Sequence, residues 1–125
     1  MPSTKDMLRQ LVEEQEIEKR KDPYLTKLFS EIFTGMQGRY SRLKIILTIA
    51  DSPLNTRQLS KRLGYDYKSI QRNLEILEKN HLVERIGGGY GDMFFLTDLL
   101  YKNLPILLEV IERVDRRLNK KKKRY

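Results

Sequence analysis

LNTRQLSKRLGYDYKSIQRNLEILEKNHLVERIGGGYGDMFFLTD, residues 54–98, sets two short helical patterns, a tight turn and a hairpin in succession. Asn55 is placed to cap a helix, and Gln58 three residues on completes a capping-box pairing. The helix, about residues 56–63, buries Leu59 and Leu63 and leaves Arg57, Lys61 and Arg62 exposed. Gly64 permits the left-handed backbone that ends a helix. Asp66 brings a carboxylate to accept the free amide hydrogens of the next helix. That helix, residues 67–80, spaces Ile70, Leu74 and Leu77 for burial and turns Tyr67, Lys68, Gln71, Arg72 and Glu75 outward. Residues 81–86 and 92–97 then read as paired strands joined by the tip Gly87-Gly88-Gly89-Tyr90-Gly91.

Helix, tight turn, helix and ribbon is the order of a winged helix-turn-helix, a module that reads DNA. The outward residue types suit that work: glutamine pairs with adenine, arginine with guanine, and lysine with phosphate. A solvated charged face has the same composition. Position favours nucleic acid, because these residues occupy the first turns after the tight turn.

Upstream, residues 5–20 read as a helix with Met7, Leu8, Leu11, Val12 and Ile17 on one face. Asp22-Pro23 stops it, and Pro23 can open the next helix at its first turn. There Leu25, Leu28, Phe29, Ile32, Phe33 and Met36 recur at helical spacing until Gly35 and Gly38. This stripe fits core packing, with a dimer contact by the first helix as the alternative. Residues 39–50 give a third helix, with Leu43, Ile46, Leu47, Ile49 and Ala50 inward and Arg39, Arg42 and Lys44 in water. Pro53-Leu54 has room only for a brief third strand beside the hairpin.

Downstream, the chain reads as helical from Leu99 to about Asn119, broken near Asn103-Leu104-Pro105 because proline cannot continue the ladder. Leu100, Leu104, Leu107, Ile111, Val114 and Leu118 follow the alternating four- and three-residue steps of a heptad seam, which favours dimerisation. The expected class is mostly α with a minor β part: a winged helix-turn-helix with a β-hairpin wing and flanking N- and C-terminal helices. Residues 1–38 form a helical extension for packing or dimerisation, 39–98 the DNA-binding domain, 99–119 a dimerisation helix and 120–125 a basic tail.

Charge follows this division. Of the net +8, the stretch Arg116–Tyr125 holds seven of 25 basic residues and none of 17 acids, so the remainder carries only +1. Within that remainder, residues 39–97 stand at +4. Positive charge on the helix-turn-helix and the tail points to a polyanionic partner. There is no cysteine, which excludes disulfides, thiolate nucleophiles and zinc-thiolate sites. One isolated histidine, His81, and no carboxylate pair in a recognisable setting argue against an enzyme. The glycine run lacks the strand–GxxxxGK–helix context of a phosphate loop. No apolar run reaches membrane-spanning length, and the N-terminus has no apolar signal core. A cytoplasmic protein without metal or cofactor is expected.

The stretch LSKRLGYDYKSIQRNLEILEKNHLVERIGGGYGDMFFLTD carries a resemblance. Residues 42–98 look like a winged helix-turn-helix of the ArsR/MarR type, common among archaeal and bacterial transcription factors. The leucine-glycine turn, the capped second helix, the leucine-valine start of the ribbon and its leucine-threonine exit share that family's order. His81 stands where the family has glycine, and Asp66 replaces a serine cap. The cysteine-rich metal box of the family's sensors is absent from TRQLSKRL, which excludes metal sensing by thiolates. The resemblance puts Tyr67, Lys68, Gln71 and Arg72 on DNA-contacting positions.

The resulting expectation is a sequence-specific regulator of transcription. It binds double-stranded DNA as a homodimer through a recognition helix (67–80) and a wing (82–97). Arg57, Lys61 and Arg62 would hold the DNA backbone, and the wing, with Arg85 at its base and Tyr90 at its end, would lie along the adjacent minor groove or phosphates. A winged-helix module for protein–protein contact, or RNA binding through the basic tail, are the alternatives.

Overall fold

Three- and four-residue apolar spacing becomes helix along most of the chain, and the stretch around the glycine-rich tip becomes a hairpin. The computed structural model describes residues 3–14, 22–34, 40–87 and 91–122, with backbone alone for 14 and 118–122. In chain order the elements are α1 (Thr4–Glu14), α2 (Pro23–Phe33), α3 (Ser41–Asp51), α4 (Thr56–Leu63), α5 (Tyr67–Lys79), β1 (Val83–Ile86), β2 (Met93–Leu96), α6 (Asp98–Lys102) and α7 (Leu104–Lys122). No helix among the described residues is long and apolar enough to cross a membrane. Two units form, Tyr40–Lys102 and the pair of segments Met1–Arg39 and Asn103–Tyr125.

In Tyr40–Lys102, α4, α5 and β2 pack against α3. The buried side chains include Leu43, Ile45, Ile46, Leu47 and Ile49 of α3, Leu54 ahead of α4, Leu59 of α4, Ile70, Leu74 and Leu77 of α5, and Leu100 of α6, with Leu82, Val83 and Phe94 from the hairpin. Each large aliphatic side chain so buried contributes about 1.5–3 kcal/mol. β1 and β2 pair antiparallel, with Val83 opposite Leu96 and Arg85 opposite Phe94. The third strand expected at Pro53-Leu54 is a single bridge: the Phe94 amide donates to the Leu54 carbonyl at 2.9 Å.

Two sequence expectations for this unit need correction. Arg42, expected in water, is 6 % exposed, and its Nε donates to Asn73 Oδ1 of α5 at 3.1 Å. α3 is apolar on more than one face, Ile45 included, so the helix is buried on nearly all sides and carries Arg42 inward. Burial pushes the Arg42 pKa down, while the asparagine carbonyl satisfies a donor that would otherwise be costly to desolvate. Leu63, expected in the core, is only half-buried, because it sits on the last turn of the short α4.

In the second unit, α7 packs along α1 and α2. Ser3 and Asp6 form a reciprocal cap at the start of α1, and the Ser3 hydrogen bonds hold the Asp6 carboxyl below its usual range. Asp22 caps α2 by accepting the Leu25 amide at 3.1 Å, with Pro23 at the first helical position. Phe29 and Phe33 stack edge to face at 5.9 Å. Lys5 pairs with Asp115 at 3.4 Å and Arg9 with Glu112 at 3.1 Å, which sets α1 and α7 antiparallel.

The expected break lies at Asn103, whose carbonyl accepts the Ile106 amide at 3.0 Å, with Pro105 in the first turn of α7. It divides the heptad seam. Leu100 is buried on α6 in the first unit, while Leu104, Leu107 and Ile111 are buried on α7 in the second. These four side chains are wholly covered within one copy and have no surface left to offer another. Val114 is half-buried. The side chain of Leu118, and the expectations for Ile17, Gly35, Met36, Gly38 and the end of the basic tail, lie outside the described residues.

Candidate nucleic-acid interface

The site is built by capping. Asn55 Oδ1 accepts the Gln58 amide at 2.8 Å, and Gln58 Oε1 accepts the Asn55 amide at 2.9 Å. This capping box starts α4 at Thr56 and leaves Arg57, Lys61 and Arg62 exposed. Gly64 ends the helix with φ +70 and donates its amide to the Ser60 carbonyl at 2.9 Å. Asp66 restarts the ladder two residues later, accepting the Ser69 amide at 3.3 Å. A glycine stop followed at once by an acidic start makes the turn tight.

α5 buries Ile70, Leu74 and Leu77 and exposes Tyr67, Lys68, Gln71, Arg72 and Glu75. Among the described residues, no side-chain hydrogen bond or ion pair engages any of these five. They form two stripes. Tyr67, Gln71 and Glu75, each a helical turn apart, line a cleft of about 600 Å³ with Asn55 and Arg57 of α4's first turn and Arg85, Asp92 and Phe94 of the hairpin. Lys68 and Arg72 lie one residue further round the helix and outside that lining.

Arg85 is held by its own chain, where sequence reasoning expected it to meet the backbone of a ligand. Its Nε and Nη2 donate to Glu78 Oε2 and Oε1, both at 2.8 Å, a fork matched to a carboxylate. Its Nη1 lies 3.6 Å from Asp92 Oδ2, and the guanidinium sits 5.2 Å above the ring of Phe94, its cross-strand partner. The Glu78 hydrogen bonds push the Arg85 pKa up; partial burial works against them, and the charges of Glu78 and Asp92 add to the rise. Glu78 is on α5 and Asp92 precedes β2, so one arginine fastens the hairpin to the helix. Gly87 makes room for this clamp, since a Cβ there would stand 2.8 Å from Asp92 Oδ1.

His81 takes φ +60, the left-handed conformation that glycine adopts without strain. Thr97 locks this corner, its hydroxyl donating to the His81 carbonyl at 2.7 Å and accepting the Leu100 amide at 3.2 Å. The threonine that leaves the hairpin thus also caps α6. Sequence reasoning missed Asn73, Glu78, Asp92 and Thr97 as supports; the one signal was that Glu78 and Arg85 are opposite charges flanking a helix-to-strand corner. Tyr90 lies outside the described residues. Among them, no group of three His, Cys, Asp or Glu is placed to hold a metal ion.

No family model matches the chain, and no curated protein matches it in sequence. Its fold does match solved structures. Reduced HlyU from Vibrio cholerae is 18 % identical over 73 % of this chain and 90 % of its own, with a TM-score of 0.53. The transcriptional regulator BldR from Sulfolobus solfataricus is 18 % identical over 76 % of this chain and 71 % of its own, with a TM-score of 0.55. The homodimeric winged helix-turn-helix DNA-binding domain of Mb0332 from Mycobacterium bovis, a possible ArsR-family regulator, is 17 % identical over 78 % of this chain and 91 % of its own, with a TM-score of 0.54. With its capped helix pair, clamped hairpin and flanking helices, this chain has the same winged helix-turn-helix fold.

Proposed function

We propose that the chain is a sequence-specific, double-stranded-DNA-binding regulator of transcription that acts as a homodimer. One observation carries this reading: five polar side chains on the early turns of α5 stand exposed and unengaged among the described residues, directly after a tight turn. Packing gives them no task, whereas the edges of bases in a major groove would. Gln71 and Arg72 are assigned to bases, and Tyr67 and Lys68 to bases or phosphates. Arg57, Lys61 and Arg62 are assigned to the backbone. Arg85 is given a different role from the other cations, that of aiming the wing. The homodimeric state of the Mb0332 domain supports pairing here; with Leu100, Leu104, Leu107 and Ile111 covered, the pairing is assigned to half-buried Val114 and the outer surface of the flanking helices, where Met7 is 41 % exposed.

Replacing Arg72 by alanine tests the assignment of α5. The expected cost is about 1–3 kcal/mol on a preferred duplex, with relaxed discrimination at one base step and little change on random duplex. Equal affinity of variant and wild type for both duplexes, by fluorescence anisotropy at physiological salt, would remove α5 from the interface.

A further inference from the structure

Glu75 is the one acid among the exposed residues of the α5 face, and a carboxylate facing a polyanion is repelled unless something donates to it. We infer that Glu75 is a specificity-determining residue that accepts the amino group of a cytosine about two base steps from the base read by Gln71. The inference rests on the duplex-DNA reading above.

Three observations carry it. First, Glu75 shares the stripe of Tyr67 and Gln71 that lines the cleft between helix and hairpin, so it faces whatever those residues face. Second, the nearby cations leave it unpaired among the described residues. Arg85 is committed to Glu78 and Asp92, and Arg57, which lines the same cleft, forms no ion pair with Glu75. Third, the register fits. Gln71 and Glu75 are one helical turn apart, about 6 Å along α5, close to two base steps of about 3.4 Å each.

The chemistry then selects the base. In the major groove, cytosine offers the N4 amino group with no acceptor of its own beside it. Adenine sets the N7 acceptor next to its amino group, and guanine and thymine present acceptors. A carboxylate accepts best from the first; at adenine the N7 acceptor offsets the amino donor, and guanine and thymine offer it only acceptors. Glu75 therefore acts by excluding wrong bases as much as by binding the right one. Gln71, which suits adenine, and Glu75 together specify an adenine and a cytosine about two steps apart in each half-site.

The test compares wild type with Glu75→Gln, a substitution of the same shape at an exposed position, on duplexes selected by the wild type from a random pool. Single-base changes are introduced at every position. Changing one cytosine to thymine is expected to weaken wild-type binding roughly ten-fold. Glu75→Gln should lose that preference or turn it towards adenine, with every other position unchanged. An unaltered base profile, with affinity raised alike on all sequences, would overturn the inference and leave Glu75 a solvated charge. A wild type that selects no consensus at all would overturn the DNA reading itself, and this inference with it.

Discussion

His81 holds its backbone at φ +60, a region in which a side chain costs roughly 1–2 kcal/mol that glycine avoids. Glycine gives back part of that gain through its freer unfolded chain, about 0.5–1 kcal/mol. His81→Gly should therefore stabilise the protein by about 0.5–1 kcal/mol and raise the melting temperature by a few degrees. The hydrogen bonds at this corner survive the change, since His81 contributes only its amide and carbonyl to them. A lower melting temperature by circular dichroism would show that the imidazole has a role of its own. Residue by residue, legibility followed distance in the chain. Asn55 with Gln58, Gly64 and Asp66 were readable because a cap and its partner lie within three or four positions of each other. Arg42 was not, because its inward path depends on Asn73, 31 residues away. An arginine between a serine and a leucine, with Arg39 and Lys44 close by, looks the same whether it faces water or a buried carbonyl.

At the scale of elements, the hairpin is held by its buried Val83 and Phe94, by the Leu54–Phe94 bridge and by the clamp of Arg85 on Glu78. Bidentate pairs within a small network are the exposed ion pairs that do contribute, at about 0.5–1 kcal/mol. Glu78→Gln keeps the side chain's shape and removes its charge. Amides of β1 and β2 should then exchange hydrogen faster, while those of the α5 core, around Ile70 and Leu74, keep their protection. Unchanged exchange in the hairpin would mean that strand pairing and the Leu54–Phe94 bridge hold it without Arg85. Periodicity with caps and prolines gave the helices their places, and the glycine-rich tip gave the hairpin its own. Periodicity was silent on the partners of Arg85: a cation at a ribbon's base suggests an external anion, and Glu78 and Asp92 of the same chain also pair with it. The break at Asn103 was legible from Pro105. That the break would also divide two units was not, because the apolar steps from Leu100 to Ile111 run through it without interruption.

The molecule as a whole divides its tasks between those units. Tyr40–Lys102 carries the proposed reading face and the clamped hairpin. The flanking helices build a core of their own, braced by the antiparallel pairs Lys5–Asp115 and Arg9–Glu112. Charge is divided as well: without Arg116–Tyr125 the chain is nearly neutral, so in the proposed function the reader selects and the terminal lysines and arginines attract. Two copies would set two α5 helices about 34 Å apart, one turn of duplex. The most direct measurement is selection of bound sequences from a random duplex pool by the full chain at physiological salt. The account predicts an inverted repeat with half-site centres one helical turn apart. Recovery of the pool without any consensus, or binding that discriminates no sequence from another, would contradict it.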